Sequence, residues 1–179
     1  MKYFYFIIIS FLFFSCVDLQ KSSQLASIEK MVKSLDSMQI VLNEHPIDVI
    51  QEQKKIYSQL EAKIRINIDV SDTINLELGK KLDAIKTMRE KFLPLTIAFD
   101  QLNLNISKEK KNLINLKLDI TNSNGERGEY QKNLDFEMKN FSGLKSELEN
   151  YTTIRKEVIT IFNQNKIEFE KFANALENN

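Results

Sequence analysis

Beyond residue 74, apolar side chains recur at every seventh position: Leu78, Ile85, Phe92, Phe99, Ile106, Leu113 and Ile120, interleaved with Met88, Leu95, Leu102 and Leu116. A seven-residue repeat keeps an apolar seam on one side of a helix. The register persists through Pro94, so one kinked helix is expected there, although proline removes a backbone donor. The sequence NSNGERG at 122–128 then stops the helix. A second seam follows, with Leu134, Phe141, Leu148, Phe162, Phe169 and Leu176 at one position and Leu144, Tyr151, Val158 and Phe172 at the other. In an antiparallel hairpin the indices of facing residues have a constant sum. A sum of 250 pairs Leu116 with Leu134, Leu102 with Leu148, Phe92 with Val158 and Met88 with Phe162, and places Gly125 in the loop. The pattern therefore predicts a helical hairpin, about 71–122 and 129–177, with arms of about 70 Å.

Ahead of the hairpin lie two shorter helical patterns. Leu25, Ile28, Val32, Leu35, Met38 and Leu42 form one stripe, which ends near Asn43 because His45-Pro46 follows. Pro46 suits the first turn of the next helix, which carries Ile50, Tyr57, Leu60 and Ile64 and ends near Ile68. The short connection predicts antiparallel neighbours. Each spans about 20 residues, less than half the hairpin length. The expected fold is all-α: an elongated antiparallel hairpin with both N-terminal helices packed on its open end. That arrangement is a four-helix base with a two-helix arm projecting from it. Asn124, Glu126 and Arg127 stand at the tip of the arm, where a partner would make contact.

The first residues, MKYFYFIIISFLFFSC, place a single Lys2 before an apolar run that stops at Ser15 and Cys16. The run is about two thirds of what a bilayer span requires. It reads as a secretory signal over 1–15. Phe13-Phe14-Ser15-Cys16 resembles a bacterial lipobox, in which the cysteine is lipidated and becomes the new N-terminus. An uncleaved anchor and a cleaved soluble form are the alternatives. Lipidation at Cys16 would attach the chain to a membrane, with 16–24 as a polar tether and 25–179 as the helical domain. Three acyl chains, as the lipoprotein family carries, suffice for stable anchoring.

Composition narrows the chemistry. Cys16 is the only cysteine, which excludes a disulfide framework. Lysine plus arginine number 25 and so do aspartate plus glutamate, interspersed throughout, so no basic face is offered to nucleic acid. His45, the single histidine, sits in an Asn43-Glu44-His45-Pro46 turn without ligand spacing for a metal. The carboxylates alternate with lysines on solvent faces, and no glycine-rich phosphate loop follows a strand. No catalytic constellation is assembled, and neither an enzyme nor a cofactor is expected. Glu109, Glu137, Arg155 and Asn165 interrupt the seam. Glu109 and Glu137 are read as the wet edge of the arm, and Asn165 as a register-fixing residue. Arg155 falls opposite Leu95, where it could donate to the Glu90 carbonyl freed by Pro94, supporting a kink.

Asp36-Ser37-Met38 and Asp72-Thr73-Ile74 are similar to the short O-glycosylation sequon of exported proteins in Bacteroidota, marking Ser37 and Thr73 as candidate modification sites, while Asp72 also serves as a helix cap. The FFSC lipobox, the helix start at Asp72-Thr73-Ile74-Asn75-Leu76-Glu77 and the Lys/Asn/Ile-rich hairpin together resemble the uncharacterised small helical, coiled-coil lipoproteins of the Bacteroidota type. That family carries no established activity to transfer. Its surface-exported members have an acidic cluster after the cysteine, whereas residues 17–21 hold one acid, Asp18. The expectation is a cell-envelope lipoprotein at the outer membrane facing the periplasm, the cell surface being the alternative. A non-enzymatic scaffold or adaptor would bind an envelope protein or the cell wall through its arm, which a second copy of the chain could also cover. The alternative function is a carrier of an apolar ligand or lipid in the Phe162, Phe169 and Phe172 base.

Overall fold

The computed structural model describes residues 2–68 and 76–177, and the side chains of residues 20–64, 66, 79, 80 and 82–175. The protein is all-α, with helices α1 (Lys2–Glu44), α2 (Asp48–Ile68), α3 (Leu76–Asn122) and α4 (Arg127–Glu177). α3 continues through Pro94 as a single helix. α3 and α4 form the hairpin that the two seams predict. Every described member of the four pairs read from the index sum is buried. The same sum pairs Leu78 with Phe172, and the side chain of Leu78 lies outside those described.

The chain divides into two compact units, Met1–Val41 with Asn103–Ser146, and Leu42–Leu102 with Glu147–Asn179. Unit 1 packs α1 against the turn-proximal halves of α3 and α4. Its core holds Ile28, Leu35, Met38, Ile106, Leu113, Ile120, Leu134 and Leu144. Contacts between α1 and α3 run antiparallel: Lys21 reaches Thr121, Glu29 pairs with Lys117, Asp36 with Lys110, and Gln39 with Asn103. Unit 2 packs α2 against the remaining halves of α3 and α4. Tyr57 lies edge-on to Phe162 at 6.1 Å and tilted against Phe169 at 5.8 Å.

Two expectations need correction. The four-helix base is replaced by three-helix packing in each unit, because α1 covers the turn-proximal half of the hairpin instead of its open end. The short 45–47 connector was read as a chain reversal, but α1 finds its complementary charges on α3 near the turn. Unit 1 therefore has three helices, where two were expected. Residues 16–24 are also not an extended tether: they lie within α1, and Gln24 is buried, with its Nε2 donating to Gln131 Oε1 at 3.0 Å. No glycine or proline interrupts that stretch, and the Gln131 partner compensates the burial of its amide.

The α1–α2 connector is held by backbone and side-chain bonds within unit 2. The His45 amide donates to the Leu42 carbonyl, and Ile47 accepts from the amides of Ile50 and Gln51, opening α2. The Tyr151 hydroxyl donates to the His45 carbonyl at 2.7 Å, and Arg155 Nε to the Pro46 carbonyl at 3.2 Å. Arg155 thus secures the connector. The expected donation to the Glu90 carbonyl beside Pro94 is not the bond it makes, because Pro46 brings a carbonyl without an intrahelical partner into reach.

Candidate functional site

Three arrangements deserve description: the hairpin turn and a buried carboxyl cluster in unit 1, and a cleft in unit 2. The turn is built on a helix C-cap. Ser123 adopts φ 57° and Gly125 φ 84°. The Asn124 amide donates to the Asp119 carbonyl at 2.9 Å and the Ser123 amide to Ile120 at 3.4 Å, the bonding pattern of a Schellman cap. Tyr130, itself buried, places its hydroxyl 2.6 Å from the Asn124 carbonyl and 3.2 Å from that of Asp119, tying the start of α4 to the turn. Asn124, Glu126 and Arg127, the expected tip residues, are exposed, as is every residue from 121 to 129.

One turn of helix spacing places Glu137 and Asn140 together on α4, facing Glu109 of α3. Glu109 is only 5 % exposed, and its Oε1 has no partner. Its carboxyl lies beside that of Glu137, which accepts from Asn140 Nδ2 at 3.0 Å. Two carboxyl groups can share a hydrogen bond only if one keeps its proton. Burial, followed by the neighbouring Glu137, pushes the Glu109 pKa up to about 7; Asn140 and Lys108 oppose the rise. The reading of Glu109 as a wet edge is therefore overturned, because its side chain is buried within the three-helix packing of unit 1. Asn165 is also reassigned. It donates to the Ile161 carbonyl of its own helix at 2.7 Å, a local bond that carries no interhelical register.

In unit 2 a cleft of about 300 Å³ opens between α2, α3 and α4. Tyr57, Ile64, Leu82, Ile85 and Phe169 give it apolar walls, while Glu61, Asp83, Lys86 and Arg89 supply its polar lining. Arg89 and Glu61 pair across it at 2.8 Å. Tyr57 is 3 % exposed and its hydroxyl has no partner, so the cleft borders a donor that folding leaves unsatisfied. Burial, then the Glu61 charge, pushes that hydroxyl's pKa up. Of the expected Phe cluster, only Phe169 lines the cleft; Phe162 is buried beside Tyr57 and Phe172 is half-buried.

Elsewhere, Ser37 is exposed and donates through Oγ to the Lys33 carbonyl, whereas Thr73 lies outside the described residues. The Cys16 backbone is helical, and its side chain lies outside those described. Among the described residues no helix is long and apolar enough to cross a membrane, and no group of three or more His, Cys, Asp or Glu could hold a metal ion. Sequence reasoning flagged Glu109 as a seam position but missed its burial. It also missed the Tyr130 lock and the unpartnered Tyr57 hydroxyl, because both tyrosines occupy ordinary helical core spacings. No family model, curated protein or solved structure matches the chain. The fold and its sites define a helical-bundle protein.

Proposed function

We propose that the chain is a lipid-anchored, non-enzymatic helical scaffold or adaptor of the cell envelope, binding a protein or cell-wall partner through the hairpin. The observation that carries this reading is the set of large apolar side chains on the outside of the hairpin in unit 1: Leu104 is 68 %, Phe136 61 % and Leu118 52 % exposed. Leu104 and Leu118 stand two heptads apart, so they share one face of α3. A partner that covers such side chains gains apolar burial that the bundle itself forgoes. Lipidation at Cys16 supplies the anchor, with the periplasmic face of the outer membrane as its place. A photo-crosslinking residue at Leu118 or Phe136, in cells making the tagged full-length chain, is expected to yield a discrete adduct. Absence of any adduct from both positions, with the protein folded and in the membrane fraction, would remove this reading.

The unit 2 cleft favours a second reading, a carrier of an apolar ligand bearing one hydrogen-bond acceptor for the Tyr57 hydroxyl. Its volume lies at the lower end of small-molecule sites. Organic extraction of the purified protein, followed by mass spectrometry, is expected to release a stoichiometric ligand on this reading, and a ligand-free extract would oppose it.

A further inference from the structure

We propose that the 122–127 turn of unit 1 rests against lipid headgroups, so that the loop end of the hairpin is a membrane-facing surface and not an outward-pointing tip. The proposal rests on the lipid-anchor reading of Cys16.

Three observations carry it. α1 is one helix from Lys2 to Glu44, so no extended linker separates Cys16 from the bundle. α1 also enters the bundle at the turn end: Lys21 Nζ donates to the Thr121 carbonyl at 2.9 Å, and Gln24 to Gln131 at 3.0 Å. Finally, residues 121–129 are all exposed, leaving the end of the hairpin uncovered by the rest of unit 1.

Helical rise turns these contacts into a depth. Cys16 lies eight residues before Gln24, about 12 Å along the axis at 1.5 Å per residue. Arg127 lies four residues before Gln131, about 6 Å in the same direction, and the turn adds a few ångströms more. The end of the turn therefore stands about 3 Å short of the level of Cys16. A headgroup layer is about 5–8 Å deep on each side of the hydrocarbon core. A lipidated cysteine sits at the boundary of that layer, so the turn falls within it or on its surface. The groups displayed there suit a headgroup layer that carries both charges: the Asn122 and Asn124 amides can donate to phosphate oxygens, Lys21 and Arg127 supply positive charge, and Glu126 can pair with headgroup amines.

The test uses the full-length chain, processed in a bacterial host and reconstituted into phosphatidylethanolamine–phosphatidylglycerol vesicles. Lipidation consumes Cys16, so Glu126→Cys carries the only free thiol and takes one fluorophore. Lys33→Cys, on the exposed face of α1 about 26 Å from the level of Cys16, is the reference position, and Asn122→Cys is a second turn position should Glu126→Cys fail to fold. With nitroxide-headgroup lipids in the vesicles, the turn labels are expected to be quenched about three-fold or more over Lys33→Cys, because such quenching acts over about one headgroup layer. Equal, weak quenching at all three positions in protein that floats with the vesicles overturns the proposal and leaves the anchor standing. Failure of the wild-type chain to float, or reaction of its Cys16 with maleimide, overturns the anchor reading and the proposal with it.

Discussion

Glu109→Gln is the substitution whose effect follows most directly from the structure. Folding takes the Glu109 carboxyl from its ordinary pKa of 4.5 to about 7, by burial first and by the Glu137 carboxyl next. The folded protein therefore binds this proton more tightly than the unfolded chain. The stability it contributes is fully present below about pH 4.5 and is lost as pH rises through about 7. A shift from 4.5 to about 7 corresponds to roughly 3 kcal/mol between the two limits. In thermal terms that is on the order of 6–12 °C for a chain of this size. The Glu29 carboxylate, held below its ordinary value by the hydrogen-bonding Lys117, opposes this slope only at lower pH. Urea unfolding followed by circular dichroism from about pH 5.5 to about 8.5 isolates the Glu109 window. His45 is common to both proteins, so the difference between them reports on Glu109. Wild-type stability is expected to fall across the window, while Glu109→Gln, a neutral group of the same shape, stays nearly flat and exceeds wild type at the alkaline end. A wild-type curve that is level or rises with pH, parallel to that of Glu109→Gln, would refute the shared-proton reading of the Glu109–Glu137 pair.

Other outcomes follow from single contacts. Ser123→Gly relieves a side chain held at φ 57°, and its urea midpoint is expected to report a gain of about 0.5–1 kcal/mol. Tyr57→Phe removes a buried hydroxyl without a partner, so stability should hold or rise by up to about 1 kcal/mol; a loss of that size would mean that the hydroxyl is satisfied in solution. Arg155→Met deletes the donation to the Pro46 carbonyl and should cost about 1–2 kcal/mol by thermal unfolding. An unchanged melting temperature would show the connector to be held without it.

The helices and the hairpin were legible because their signals are local. A seven-residue repeat states which side of a helix is buried, and NSNGERG states where the chain turns, whatever else packs nearby. The repeat even identified Glu109 as a seam position. It could not say that Glu109 is buried, since burial there depends on how the helices of unit 1 pack together.

What only the tertiary structure decided is which half of the hairpin α1 covers. A heptad seam repeats itself every seven residues, so apolar pattern alone accepts α1 at either end. Particular polar pairs choose between them: Glu29 with Lys117, Asp36 with Lys110, and Gln24 with Gln131. Those pairs bring the Cys16 end of α1 toward the turn and convert an expected outward tip into a candidate lipid-facing end. The sequence by itself determined the elements, their seams and the signal-like first 16 residues. Packing determined which carboxyl loses its water, and which loop lies toward the Cys16 end of α1, because both depend on side-chain complementarity between helices that no periodicity encodes.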